Sequence, residues 1–147
     1  MMPFETLFSA ASTLALCGWL LLALAILFRW PRLRDWGPGL AIPLTLSLLY
    51  TALIAVSWGQ ATGGFDRLAS VRALFQSDGL LLAGWVHYLA YDLFLGAWIA
   101  RDAESRRLPR ALLIPVLPLA FLFGPAGFLL WLMIRTSHRA AFQEASA

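Results

Sequence analysis

The chain has 147 residues, of which 61% are hydrophobic and only 13% are charged, and its mean hydropathy is +0.75. About a quarter of the residues of a soluble domain are charged, so this composition excludes an ordinary soluble protein. It indicates a single integral membrane domain over residues 1–147. The net charge is +3, and the eleven basic residues are all arginine. They form no basic stripe for nucleic acid, and the single cysteine, Cys17, excludes a disulfide framework.

Four apolar runs follow one another along the chain. They comprise residues 7–28, 39–58, 79–100 and 111–134. Each run is close to the ~20 residues with which a helix crosses the hydrocarbon of a bilayer, where the backbone must satisfy its own hydrogen bonds. The sequence therefore predicts an all-α membrane protein with four transmembrane helices. The first run has no basic segment before it and is too long for a signal peptide, so we expect it to remain as a span.

Arginine is concentrated in the first and third connections between these runs. The seven arginines of the two connections are Arg29, Arg32, Arg34, Arg101, Arg106, Arg107 and Arg110. With four spans, both connections lie on one side of the membrane. The positive-inside rule then places them in the cytoplasm and both termini outside, and the predicted location is the inner membrane of a bacterium.

The middle connection contains a second, shorter helical pattern. After Gly63 and Gly64, apolar residues recur three or four positions apart, at Phe65, Leu68, Val71, Leu74 and Phe75. This spacing predicts a short amphipathic helix on the membrane surface between spans two and three. A lid over a functional site is the alternative interpretation.

The third run carries ionisable groups that a membrane span rarely contains. At 100° per residue, one arc of this helix holds the polar side chains and the opposite side is aliphatic. The polar arc consists of His87, Tyr88, Tyr91 and Asp92, and the aliphatic side consists of Leu82, Val86, Leu89, Leu93 and Ala97. We expect the polar arc to face the bundle interior and the aliphatic side to face lipid.

An aspartate at the centre of a span costs about 2.5–3.5 kcal/mol, which makes Asp92 and its neighbour His87 candidate functional residues. The alternative is that they form a hydrogen-bonded clasp between helices, with Tyr50, Tyr88 or Ser47 as partners.

The fourth run contains the sequence FGPAG, from Phe123 to Gly127, near its midpoint. Pro125 removes a backbone donor, and Gly124 and Gly127 permit close approach of another segment. The pattern predicts a broken helix that lines a cavity at the depth of His87 and Asp92. A kink that only shapes the packing is the alternative.

Familiar cofactor sites are missing from the sequence. His87 and His138 are the only histidines, so a histidine-rich di-iron centre cannot form, and a haem held by two histidines is disfavoured. There is no Walker loop and no nucleophile elbow. We predict no cofactor and no metal site.

Four segments of the chain resemble a known membrane family in matching order. They are LALCGWLLL in the first span, GGFDRLASVRALF in the middle connection, AGWVHYLAYDLFLGAWIARDA in the third span and FLFGPAGFLLWL in the fourth. The family is the abscisic-acid-deficient-four-like proteins, whose plant members are associated with making neoxanthin from violaxanthin. The resemblance implies an isomerase of an epoxy-carotenoid or related isoprenoid, without a redox cofactor.

Such an isomerisation needs an acid near the epoxide oxygen and a base near a vinylic proton. The resemblance implies that His87 and Asp92 fill these catalytic roles, in either order. The predicted substrate-binding residues are Tyr50, Trp85, Tyr88, Tyr91, Trp98, Phe123, Gly124, Pro125 and Gly127. The expected partners are an apolar isoprenoid or carotenoid ligand and membrane lipids, with no nucleic acid, and a homo-oligomer stays open.

Two other interpretations of the same residues stay open. The first is a non-catalytic protein that binds a pigment or lipid, or that serves as a scaffold, with His87 and Asp92 clasping helices together. The second is a small transporter, which four spans and a single His–Asp pair make less favoured for a monomer.

Overall fold

The structure is a computed structural model that describes the backbone of residues 3–144 and the side chains of residues 4–138. The α-helices in this range are α1 (Pro3–Leu27), α2 (Pro31–Trp36), α3 (Ile42–Ser57), α4 (Leu68–Leu74), α5 (Asp78–Ser105), α6 (Leu113–Leu122) and α7 (Gly124–Glu144). The predicted all-α class is confirmed.

Three helical stretches are long and apolar enough to cross a membrane. They are α1, the continuous stretch Pro31–Gln60 and α5. In the second stretch a π-helical turn, Gly37–Ala41, joins α2 to α3 without a loop. Pro38 and Pro43 lie in and just after this turn, and each removes a backbone donor that a regular helix would use.

The helix α5 lies at the centre of the bundle, and α1 runs parallel to it. Ser12, early in α1, contacts Trp85 early in α5, and Trp19, later in α1, lies against Gly96, later in α5. A Cβ at Gly96 would lie 2.5 Å from the Trp19 ring, so the glycine permits this packing. Aliphatic and small side chains of α1 and α5 therefore form much of the core.

The helix α3 packs against α5 in the opposite direction. Ser57, at the end of α3, lies against Gly79 at the start of α5. Gly39, just before α3, lies near Ala97 in the later part of α5. The first and third connections consequently meet at one end of the bundle, where Arg34 forms an ion pair with Glu104. Their predicted position on a common side agrees with this contact.

The fourth apolar run forms two helices, so the predicted break in this run is confirmed, and within the described residues neither helix is among the stretches long and apolar enough to cross a membrane. Pro125 has no N–H for the carbonyl of Phe121, and its ring obstructs the preceding turn, so α6 ends at Leu122 and α7 begins at Gly124. A Cβ added to Gly127 would lie 2.5 Å from the backbone of Ala120. The helices α6 and α7 therefore pack with their backbones in direct contact at Gly127 and Ala120.

The two arms α6 and α7 form a helical hairpin whose apex reaches the middle of α5. Tyr88 contacts the end of α6 at Leu122, whereas Asp102, near the end of α5, contacts Trp131 and Arg135 of α7. Since residue numbers rise together in α5 and α7, the two helices are parallel. Arg135 and the start of α1 lie at opposite ends of the bundle, whereas the sequence analysis expects both termini on one side of the membrane.

The middle connection contains the predicted helix, α4. Leu74 is buried, whereas Phe65 and Leu68 are more than 70% exposed. Gly63 has a φ of 131°, and a Cβ there would overlap the carbonyl of Ser70, so only glycine fits this position. The helix is thus folded back onto its own preceding loop, and its placement at a membrane surface stays a prediction.

Candidate functional site

The faces of α5 are oriented opposite to the prediction. The aliphatic residues Leu82, Val86 and Leu93 are almost completely buried, whereas Tyr91 on the predicted polar arc is 61% exposed. Small and aliphatic side chains let α1 and α3 approach α5 closely, and lipid accepts aromatic rings as readily as leucine. The expectation that the whole polar arc faces the interior is therefore wrong.

Asp92 is the exception, because its side chain is buried at 7% exposure although it belongs to the polar arc. Its carboxyl group lies against Gly124, the first residue of α7, and accepts a backbone hydrogen bond there. A Cβ at Gly124 would overlap the carboxyl oxygens. The N-terminal turn of a helix has free N–H groups, so this position suits an oxygen acceptor. The predicted meeting of Asp92 with the broken helix is present.

One oxygen of this carboxyl group lacks a partner. Within the described residues, Oδ2 of Asp92 is buried and has no hydrogen bond. Buried polar oxygens in folded proteins nearly always have a partner, so an unpaired one requires an explanation. Asp92 therefore combines burial, a free acceptor or donor position and a place near the middle of a helix long and apolar enough to cross a membrane.

The hydroxyl group of Tyr88 binds backbone carbonyl groups that lose their helical partners at the helix break. This hydroxyl group donates to the carbonyl of Leu122 at 2.8 Å and lies 3.1 Å from the carbonyl of Phe121. In a continuous helix the carbonyl of Phe121 would accept a hydrogen bond from residue 125, but Pro125 has no N–H to donate. Tyr88 lies one helical turn before Asp92, so both side chains face the hairpin apex from adjacent turns of α5.

His87 lies in a different group of side chains. Its ring is exposed, stacks on Tyr91 at a centroid distance of 4.6 Å and lies 5.5 Å from the ring of Tyr50 on α3. Asp92 points instead at α7. Five positions on a helix correspond to about 140°, which is too wide for both side chains to reach one point. The structure does not bring the predicted His87–Asp92 pair together.

The other predicted binding residues are distributed along the surface of α5 and the hairpin. Trp85 donates its indole N–H to Ser12 at 3.0 Å, and Trp98 lies 5.8 Å from the ring of Phe128. Phe123 is 62% exposed at the apex, and Pro125 is exposed beside it. Gly127 faces Ala120 of α6, so it closes the hairpin instead of lining a cavity.

A groove of about 250 Å³ between α3 and α5 was not predicted. The residues Gly39, Pro43 and Ser47 line it from one side, and Tyr91 and Phe94 line it from the other. Small residues at four-residue spacing along one face of α3 are the sequence signal that indicates it. The groove places Tyr91, and the His87 ring stacked on it, beside an apolar depression open to the outside of the bundle.

Asp102 holds the far part of the hairpin against α5. It accepts hydrogen bonds from Trp131 Nε1 at 3.0 Å, Arg106 Nε at 2.9 Å and Arg135 Nη1 at 3.3 Å. Its role in joining α7 to α5 depends on the reversal of the chain at Phe123. In the part of the chain that the structure describes, no three His, Cys, Asp or Glu side chains group as metal ligands.

Comparison with known proteins assigns the chain to a family. A family model described as ABA DEFICIENT 4-like matches residues 6–131, which include α1 to α6 and α7 as far as Trp131. Comparison with curated proteins and with solved structures gave no match. The matched range covers most of the chain and contains Asp92, Tyr88 and the hairpin apex. The chain belongs to the ABA4-like (ABA DEFICIENT 4-like) family.

Proposed function

We propose that the protein is a membrane isomerase of an epoxy-carotenoid or a related isoprenoid, with Asp92 as the group that transfers the proton. The observation that carries the proposal is the buried Oδ2 of Asp92, which has no partner among the described residues although it lies beside a helix break. An ionisable group at membrane depth is a functional candidate by default. Membership of the ABA4-like family supports the same substrate class.

The reaction balances without any redox partner. The Asp92 carboxylic acid gives its proton to the epoxide oxygen, and one C–O bond of the epoxide breaks to leave an alcohol. A proton then leaves the neighbouring vinylic carbon, and its bonding electrons form the second double bond of an allene. The Asp92 carboxylate takes up that proton and returns to its starting state.

Tyr88 replaces His87 as the partner of Asp92 in this proposal. The hydroxyl group of Tyr88 lies beside the carboxyl group and is fixed by the carbonyls of the hairpin apex. It orients the acid and keeps the apex in place. His87, Tyr91 and Tyr50 form an exposed aromatic surface, which we assign to binding the polyene chain from the lipid side.

Conversion of a violaxanthin-type epoxy-carotenoid by membranes that contain the protein tests the proposal. Asp92→Asn is expected to lower the rate by at least about 100-fold, since a general acid contributes roughly 10²–10⁴-fold. His87→Ala is expected to keep most of the rate and to weaken substrate binding. The measurement is chromatographic separation of an allenic isomer of unchanged mass.

The matched control is Asp78→Asn, which removes an exposed carboxyl group at the start of the same helix. This variant is expected to convert substrate at the wild-type rate. Unchanged conversion in Asp92→Asn, or an equal loss in Asp78→Asn, contradicts the assignment of the acid.

A non-catalytic pigment-binding or scaffold protein is the second candidate. The hydrogen bonds of Tyr88 to two carbonyls and of Asp92 to Gly124 favour it, because together they fasten the apex to α5. In that case Asp92→Asn lowers stability by roughly 0.6–2 kcal/mol, typical of one hydrogen bond between membrane helices. The purified protein then retains pigment but forms no isomer.

We further propose that the protein spans the membrane three times and that α6 and α7 form a re-entrant hairpin. The arginine-rich end then lies in the cytoplasm together with the later part of α7, whereas the N-terminus lies outside. A helix break at membrane depth is tolerated where protein groups bind the open backbone, and here Tyr88 binds the carbonyl of Leu122 and Asp92 binds the backbone of Gly124.

Single cysteines introduced into a Cys17→Ser background test this topology. Ser137→Cys in α7 is expected to react with a membrane-impermeant maleimide from the same side as Ser105→Cys. Gln60→Cys, at the other end of the bundle, is expected to react from the opposite side. Labelling of Ser137→Cys from the side of Gln60→Cys means that the fourth run crosses the membrane.

A further inference from the structure

The end of the bundle where the first and third connections meet contains a cavity that the proposed reaction does not use. It has a volume of about 560 Å³ and lies between the ends of α1 and α5 and the starts of α2 and α6. Four arginines line it, namely Arg29, Arg34, Arg107 and Arg110, together with Glu104. The cavity is therefore strongly basic, in a protein that otherwise presents mostly apolar surface.

Only one of these arginines has its charge matched within the fold. Arg34 is buried and forms ion pairs with Asp35 and Glu104, so its guanidinium group is already bound. Arg29, Arg107 and Arg110 are exposed and have no ion pair or side-chain hydrogen bond among the described residues. Three guanidinium groups thus line one space without a carboxylate bound to any of them, since Glu104 is paired with Arg34, and this excess of positive charge favours an anionic ligand.

Two of the three arginines are in a backbone conformation that favours glycine. Arg29 has a φ of 59° and Arg107 a φ of 56°, and these are the non-glycine residues with positive φ in the described range. Each follows the end of a long helix, and the N–H of the next residue bonds five residues back, Trp30 to Ala25 and Leu108 to Ala103. This is the Schellman ending, in which glycine is the usual residue.

Arginine at both positions is unfavourable for the backbone, because an L-residue in the left-handed region strains its Cβ. Glycine would form the same helix endings without strain. Strained residues that persist in a fold are candidates for function. Here Arg29 and Arg107 follow two different helices, and both side chains line the same cavity. This indicates that arginine occurs at these two positions for its side chain and not for the shape of the turn.

The cavity adjoins an apolar groove between α1 and α6. This groove has a volume of about 600 Å³ and shares Ile26, Arg110 and Leu113 with the basic cavity. Its remaining lining is aliphatic, from Ala23 and Leu27 on α1 to Leu117 and Pro118 on α6. A charged space and a hydrocarbon-lined space are therefore joined at Arg110.

We propose that this end of the protein binds a lipid whose phosphate headgroup carries a net negative charge, with the headgroup among Arg29, Arg107 and Arg110 and the acyl chain of the lipid in the groove between α1 and α6. Guanidinium groups match phosphate oxygens in charge and geometry. The adjoining groove favours a lipid phosphate over a free phosphate, because a soluble anion leaves the aliphatic lining exposed.

The test measures which ligands stay bound to the purified full-length protein in detergent by native mass spectrometry. Dioleoyl phosphatidylglycerol is expected to bind at least about 10-fold more tightly than dioleoyl phosphatidylcholine, which has the same chains and no net charge. Glycerol phosphate, which has the headgroup alone, is expected to bind far more weakly than the lipid. Equal binding of both lipids, or glycerol phosphate binding as tightly as the lipid, overturns the proposal.

Charge variants separate a defined site from general attraction to a basic surface. Each arginine near an anionic lipid headgroup contributes about fivefold in affinity, so Arg29→Gln with Arg107→Gln is expected to weaken phosphatidylglycerol binding roughly 25-fold. The matched control, Arg32→Gln with Arg67→Gln, removes two exposed arginines outside the cavity. An equal loss in the control means that only the overall charge matters, which contradicts the site.

Arg29→Gly distinguishes ligand binding from a structural role of the turn. Because glycine relieves the strained φ, this variant is expected to have a Tm equal to or above that of the wild type and yet to bind the lipid more weakly. A lower Tm with unchanged binding overturns the assignment of Arg29.

Filling the groove between α1 and α6 tests whether the acyl chain of the lipid lies there. Ala23→Trp places a ring among the groove residues, whereas Ala52→Trp adds the same ring to the exposed side of α3. The first is expected to reduce binding of dioleoyl phosphatidylglycerol, and the second is expected to leave it unchanged. Equal effects contradict the groove between α1 and α6. None of these readouts depends on isomerase activity, so the outcome is independent of the proposed function.

Discussion

Replacing Trp131 with alanine is expected to lower the free energy of unfolding by about 3–5 kcal/mol, the usual cost of removing a buried tryptophan. Trp131 is completely buried, and its indole N–H donates to Asp102 at 3.0 Å. The substitution opens a cavity between α5 and α7 and leaves Oδ2 of Asp102 with only Arg135. The measurement is unfolding in mixed micelles by increasing dodecyl sulfate, followed by circular dichroism.

Two further variants resolve the origin of this effect. Trp36→Ala removes a tryptophan that is 69% exposed and is expected to change stability by less than about 0.5 kcal/mol. Trp131→Phe keeps most of the ring and loses the hydrogen bond, which is worth about 1.5–3 kcal/mol to a charged acceptor. Stability of Trp131→Ala equal to that of Trp36→Ala would show that the hairpin does not pack against α5.

Replacing Gly127 with alanine is expected to destabilise the protein by about 1–3 kcal/mol, the range for overpacking a close contact. The added Cβ would lie 2.5 Å from the backbone nitrogen and Cα of Ala120. These are backbone atoms of the opposing arm, so no side-chain rotation relieves the overlap. The arms must separate, and the apex must move away from Asp92 and Tyr88. Unfolding in mixed micelles again gives the free energy.

Gly59→Ala is the matched control for this prediction. A Cβ at Gly59 meets nothing within 4 Å, so the same chemical change is expected to leave stability within about 0.5 kcal/mol of the wild type. Equal stability of the two variants falsifies the close approach of α6 and α7. If epoxide conversion is detected, Gly127→Ala is also expected to lower it, because the carbonyls that fix Tyr88 are displaced.

The positions of the helices could be predicted from the sequence, but the facing of α5 could not. Apolar runs locate α1, α3 and α5 because only helices satisfy the backbone in hydrocarbon. Periodicity also separates the polar from the aliphatic side of α5 correctly. It does not decide which side is buried, because in a membrane both aromatic and aliphatic side chains can face lipid. The observed choice follows from close packing at Gly96 and Ala97.

The candidate site could be predicted in part for a similar reason. Pro125 indicates the break in the fourth run, and the depth of Asp92 places it near that break, as observed at Gly124. The reversal of the chain was not predictable from Pro125 alone. It depends on the contact of Gly127 with Ala120 and on the bonds of Asp102 to α7, which are distant in sequence. His87 does not join Asp92 because the polar arc was treated as one face, although its two ionisable side chains are about 140° apart around α5 and contact different neighbours.

The hairpin that turns at Phe123 has a consequence for biogenesis. In the proposed three-span topology, the chain enters and leaves the hairpin at the same end of the bundle, so Arg135 does not have to be translocated through hydrocarbon. The insertion machinery then needs to accommodate only the uncharged apex of the hairpin. The carbonyls of Phe121 and Leu122 at this apex have a hydrogen-bond donor once Tyr88 is in place. Assembly in this order requires α5 to be inserted before α6 and α7, which is the order in which the ribosome delivers them.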